Sequence, residues 1–247
     1  MLTCTTTALV AVAHGSRDPR SAATISALVD RVRWLRPDLD VRLAFLDLCA
    51  PRLDAVLATV SRAAVVPLLL GRAFHANVDV PGEVARAAAA RPGLDVTVAD
   101  VLGPDPRLET AALRRLAEVG VSPADPGSGV VLAAAGSQQA PSNAAVAAVA
   151  AAWTQRTRWQ VVPAFACAAR PTVPDAIATL EAAGARRIAV ASWFLAPGFL
   201  PDKITRQAHE VRRDAVLADP LGPEPAVAHV IADRYDVAHQ TGLARSA

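Results

Sequence analysis

Apolar positions along this chain fall into short unbroken runs separated by longer stretches with helical spacing. "TALVAVA" (7–13) is one such run, the pattern of a strand buried on both faces. "DPRSAATISALVDRVRWLR" follows it. There Asp18 suits an N-cap, Pro19 suits the first helical turn, and Ile25, Leu28, Val29, Val32 and Leu35 recur on one face. The alternation continues with predicted strands at "DVRLAFLD" (40–47), "AAVVPLLL" (63–70) and "LDVTVA" (94–99). Predicted helices lie in "PRLDAVLATVS", "VPGEVARAAAA" and "DPRLETAALRRLAEV". Strict β–α alternation predicts an α/β fold with a parallel sheet.

The pattern then stops and restarts. "GVSPADPGSG" (120–129) is rich in Pro, Gly and Ser and reads as a linker. Beyond it, four segments echo the first half in the same order. "GVVLAAAGSQQAPSNAAVAAVAAAW" matches "TALVAVAHGSRDPRSAATISALVDRV", and "VVPAFACAARPTVPDAIATL" matches "VRLAFLDLCAPRLDAVLATV". "RRIAVASWFLAPGFLPDKI" matches "AAVVPLLLGRAFHANVDV", and "DPLGPEPAVAHVIADR" matches "DVLGPDPRLETAALRR". Ordered matches offset by about 120 residues indicate an internal duplication. The expectation is two tandem, related three-layer domains, 1–121 and 128–247, each with a mostly parallel four-stranded sheet.

The copies differ where chemistry would sit. Gly15-Ser16 aligns with Gly136-Ser137, whereas His14 aligns with Ala135 and His75 with Leu200. Asp47 falls against Cys167 or Ala168, depending on where a one-residue gap is placed. A histidine that the fold required would be needed in both copies. His14, Asp47 and His75 also lie at or just past the ends of three predicted parallel strands, where open α/β sheets gather ligands. With a 2-1-3-4 strand order, His14 and His75 would face each other across a cleft, with Asp47 nearby. Two imidazoles and a carboxylate suit a divalent first-row metal such as Fe, Co, Ni or Zn, and imidazole also takes a proton near neutral pH. Asp47 has a second reading, as a cap for the helix that follows it. Gly15-Ser16 precedes a helix N-terminus and reads either as an anion site or as a tight turn that needs glycine. Ser16, Arg17, Arg20 and Arg72 are candidate contacts for ligand carboxylates at this rim, or else solvated surface groups.

Composition narrows the rest. The chain has 247 residues, 53% hydrophobic and 19% charged, enough for a sizeable core. A net charge of +2 and an aromatic share of 4% give no footprint for nucleic acid. Cys4, Cys49 and Cys167 are too widely spaced for a zinc ribbon or a disulfide framework, and reduced thiols in a cytoplasmic protein are expected. The N-terminus lacks a basic n-region, and no apolar run reaches transmembrane length. There is no Gly-x-Gly-x-x-Gly, no Walker lysine and no Gly-x-Ser-x-Gly elbow.

"AHGSRDPRS", "AFLDLCAPRLDAVL", "PLLLGRAFHANVDVP" and "LGPDP" together resemble the sirohydrochlorin chelatase family of class II chelatases, in its long form with two fused halves. The third segment fits a Leu-Gly-x-x-x-His-x-x-x-Asp-[Ile/Val]-Pro pattern through His75, Asp79 and Pro81. The resemblance implies insertion of Fe²⁺ or Co²⁺ into sirohydrochlorin, a carboxylate-rich tetrapyrrole, for sirohaem or cobalamin synthesis. The metal is then a substrate and no cofactor is permanently bound. His14 and His75 would be the catalytic pair and, with Asp47, the metal contacts. The family often carries Glu where this chain has the shorter Asp47. The fused halves imply a monomer, with the second half as a lid or wall of the cleft. A metal carrier or sensor using the same histidines without catalysis is the alternative.

Overall fold

A computed structural model describes residues 6–72 and 78–246. His75 lies outside the described residues, as does Cys4. The elements alternate along the chain: β1 (Ala8–Ala13), α1 (Pro19–Leu35), β2 (Val41–Phe45), α2 (Leu53–Leu57), β3 (Arg62–Pro67), α3 (Val80–Ala90), β4 (Asp95–Val98) and α4 (Pro106–Glu118). The second copy runs β5 (Ser128–Ala134), α5 (Ala140–Arg156), β6 (Gln160–Phe165), α6 (Val173–Ala182), β7 (Arg187–Ser192), α7 (Phe199–Val211), β8 (Val216–Leu217) and α8 (Pro225–Ser246).

Each copy builds one parallel four-stranded sheet, in the orders β2-β1-β3-β4 and β6-β5-β7-β8. The 2-1-3-4 order supposed above is the one present, and β1 lies between β2 and β3. All six residues of β1 are buried, as an unbroken apolar run in a sheet covered on both faces requires. Val10, Val12, Ala44 and Val65 pack on one face with Leu53, Leu57, Val80 and Val84 from α2 and α3. The other face is covered by α1, whose Ile25, Leu28, Val29 and Val32 are buried as their spacing predicts, and by α8. Asp18 caps α1 by accepting from the Arg20 amide, and Pro19 opens the first turn.

The chain forms two compact units whose limits differ from the repeat. One holds Met1–Asp105 together with Pro223–Ala247, and the other holds Pro106–Gly222. The last helix of each copy thus belongs to the sheet of the other copy. Helix α8 packs on α1, β3 and β4, where the Tyr235 hydroxyl donates to Thr7 O at 2.8 Å and Arg234 donates to the carbonyls of Val101 and Leu102. Helix α4 packs on β7, and its Glu109 accepts from the Trp153 indole at 3.0 Å. The stretch 120–129, read as a linker from composition, lies inside the second unit. The Trp159 indole donates to Ser122 O at 2.7 Å, and Gly127 O accepts from the amides of Arg186 and Arg187. Among the described residues no helix is long and apolar enough to cross a membrane.

Candidate functional site

The site is built from what happens when β1 and β2 run out. Backbone pairing continues beyond the regular ladder: Leu46 N–H donates to Ala13 O and Asp47 N–H to His14 O, both at 2.9 Å. On the other side of β1, Leu68 N–H donates to Val12 O at 2.8 Å. His14 and Asp47 therefore stand side by side at the carboxyl edge of the sheet, and both are exposed.

Gly15 makes this approach possible. Its φ is +98°, and a Cβ there would lie 1.8 Å from Asp47 O. Only glycine meets both demands. Ser16 then accepts from the Asp18 amide at 3.0 Å, which turns the chain into α1. The Cys49 thiol closes the turn from the other side, 3.4 Å from Ser16 N and 3.1 Å from Ser16 O.

The Asp47 carboxyl is held below the ordinary carboxylate range. The Leu48 amide acts most strongly, followed by the Arg52 guanidinium, and a charged His14 acts in the same direction. Arg52 Nη1 donates to Asp47 Oδ1 at 2.7 Å. This corrects the capping alternative for Asp47: the N-cap of α2 is Arg52. Asp47 stands five residues before that cap, beyond the reach of a capping side chain.

The predicted anion contacts divide into two kinds. Arg17 is exposed in the β1–α1 turn and makes no ion pair among the described residues. Arg20 grips its own helix cap, with Nη2 2.5 Å from Asp18 Oδ2. Arg72 pairs with Asp100. Ser16 keeps its place beside His14 while its hydroxyl oxygen serves the turn. Among the described residues no group of three His, Cys, Asp or Glu side chains stands ready to hold a metal ion, and His75 falls outside that set. Cys49 and Arg52 are the site residues that sequence reasoning passed over.

The second copy carries the same frame. Ala166 N–H donates to Ala134 O and Cys167 N–H to Ala135 O, so the gap closes with Cys167 opposite Asp47. A Cβ on Gly136, at φ +86°, would lie 2.0 Å from Cys167 O. Ser137 accepts from the Gln139 amide at 3.0 Å, as Ser16 does from Asp18. The imidazole and the carboxylate are both missing. Copy two also carries Lys203 on α7, which donates to Ala166 O at 2.7 Å.

Comparisons with known proteins agree with this architecture. A sirohydrochlorin ferrochelatase of Priestia megaterium is 25% identical over 236 residues, covering 91% of this chain and 87% of that protein. The structure of SirB from Bacillus subtilis with Fe³⁺ matches with a TM-score of 0.79 and 24% identity, covering 93% of this chain and 94% of that one. SirB from Bacillus subtilis subspecies spizizenii in complex with cobalt matches with a TM-score of 0.72 and 21% identity, covering 95% and 96%. The CbiX family model matches twice, over residues 8–119 and 129–238, once for each copy of the repeat. With both halves of the chain matched, this protein belongs to the CbiX family.

Proposed function

We propose that the chain is a sirohydrochlorin chelatase that inserts Fe²⁺ or Co²⁺ into the metal-free macrocycle. One observation carries the reading: an exposed imidazole and a carboxylate stand side by side at the end of the central strand, on a frame whose duplicate has neither. The names of its relatives supply the substrate class.

Insertion exchanges one divalent ion for two pyrrole N–H protons. The ring must present its nitrogens to one face, and the metal must arrive on that face. His14, with His75, positions the ion and takes up the released protons. A neutral imidazole binds a first-row ion, and an imidazole freed of metal accepts a proton near pH 7. Two histidines hold an ion loosely enough to release it, unlike a closed four-ligand structural site. Asp47 remains ionised at neutral pH because its carboxyl is held low, so it stabilises positive charge on His14 or on the ion beside it. Arg17 is the first candidate for the carboxylates of the macrocycle. Arg20 and Arg72 already hold Asp18 and Asp100, and a substrate carboxylate would have to compete for them. Holding ion and ring in register removes much of the entropic barrier. Two copies in one chain support action as a monomer.

The test is an anaerobic optical assay of the purified chain with sirohydrochlorin and each metal in turn. Insertion faster than the protein-free rate is expected. A chain that binds metal without accelerating insertion is a carrier or sensor, and this reading then fails.

A further inference from the structure

The Leu48 side chain has no part in the chemistry above, yet the residue's backbone is one of only two left-handed non-glycine conformations among the described residues, at φ +63°. The Cys49 amide donates to Asp47 O at 2.7 Å, closing a three-residue γ-turn around Leu48. A γ-turn of this hand is rare and strained, and a branched side chain makes it harder. Both neighbours are pinned. Asp47 is bonded to His14 and its carbonyl presses on Gly15, while the Cys49 thiol sits against Ser16. The turn therefore cannot relax.

The strain returns nothing in core packing, because the Leu48 residue is 47% exposed. Strained backbone of this kind persists where surroundings enforce it, and it concentrates at ligand clamps. The second copy separates backbone from side chain: Ala168 adopts φ +58° at the matching position with only a methyl group. The duplicated frame thus carries the positive φ in both copies, and the isobutyl group belongs to the copy that carries His14. Glycine or asparagine would fill this conformation at lower cost.

We propose that Leu48 is a substrate-contact residue, whose side chain packs on the apolar surface of the tetrapyrrole held beside His14. This rests on the chelatase reading. A hydrocarbon neither ligates metal nor accepts protons, so its contribution is to place the ring and not to drive the exchange. Losing it raises KM for the macrocycle and spares kcat.

Equilibrium titration of the intact chain with metal-free sirohydrochlorin, followed by fluorescence, tests this without requiring insertion. Leu48→Ala and Leu48→Gly each weaken binding about tenfold, and Leu48→Met stays within about twofold. Leu48→Gly melts at a higher temperature than Leu48→Ala, because glycine accepts positive φ. The proposal is overturned if the alanine and glycine variants bind like wild type, or if the methionine variant loses as much as they do. A wild-type chain that binds the ring yet inserts no metal refutes the chelatase reading, and the titration still decides on Leu48. A wild-type chain that binds no tetrapyrrole refutes both.

Discussion

The turn after β1 and the turn after β5 have the same backbone and different chemistry. Each ends a buried central strand, bends at a glycine jammed against a carbonyl of the neighbouring strand, and starts a helix from a serine-closed turn. Each is followed, across the sheet edge, by a residue at positive φ. Where the first copy places His14, Asp47, Leu48 and Cys49, the second places Ala135, Cys167, Ala168 and Ala169. What the frame needs recurs, and the side chains that the frame does not need are the candidates for the site.

His14→Ala breaks the comparison most sharply, since it gives the first turn the residue of the second. Loss of both a metal contact and a proton acceptor is expected to lower kcat/KM by about 10²–10⁴. The melting temperature should stay within about 2 °C, because His14 is exposed and Ala135 occupies the same backbone. Retained turnover in this variant would remove His14 from the site. Gly15→Ala and Gly136→Ala form a matched pair with the opposite character. Each adds a Cβ into a backbone oxygen at a positive φ, so each should cost about 2–4 kcal/mol in denaturant unfolding. Only Gly15→Ala should also reduce the specific activity of the folded fraction, because it separates His14 from Asp47. Equal activity losses in the two would show that the second turn takes part in the chemistry.

The strands, the strand order and the duplication were legible because each rests on apolar periodicity or on repeated words in the chain. That His14 and Asp47 come together at the sheet edge was legible for a related reason: a polar residue at the end of a buried run stands out. The exchange of α4 and α8 between the two sheets was not. An amphipathic helix declares that it has a face to bury, and its sequence does not say against which sheet. Pairings decided by side-chain reach were equally hidden. Arg20 and Arg72 read as rim cations until Asp18 and Asp100 are seen to hold them. Cys49 read as an ordinary thiol, since nothing in the chain announces a contact with the backbone of Ser16, 33 residues away.

Those thiol contacts mark a further difference between the copies. Asn143 grips Ser137 by two bonds, accepting from its amide at 2.9 Å and donating to its carbonyl at 2.7 Å. Cys49 reaches the same two groups of Ser16 with weaker sulfur contacts. Asn143→Ala should therefore cost about 1–2 kcal/mol and Cys49→Ala about 0.5–1 kcal/mol, read as midpoint shifts in denaturant. Ala22 occupies the place of Asn143 in the first copy, so Ala22→Asn should recover part of the Cys49→Ala loss. Failure of that rescue would show that the two clamps are not equivalent.

The smallest expected effect is on pH dependence, and it isolates the one carboxylate that the second turn lacks. The Leu48 amide, Arg52 and His14 all hold the Asp47 carboxyl low. A depressed carboxyl keeps its charge above its folded pKa and loses it as pH falls through that value. Arg52→Ala removes one of the three influences, so Asp47 should protonate at a higher pH than in the wild type. The low-pH step of kcat/KM that belongs to Asp47, lying below the limb due to the histidines, should then move upward in pH, while the rate at neutral pH stays within about twofold, because Asp47 is ionised there in both proteins. The shift should shrink as salt is added, since Asp47 and Arg52 are both exposed. Asp47→Asn places the neutral group there at every pH, so the low-pH step should vanish while the limb due to the histidines remains. A low-pH step that survives Asp47→Asn would belong to another group, and Asp47 would then be dispensable to the reaction.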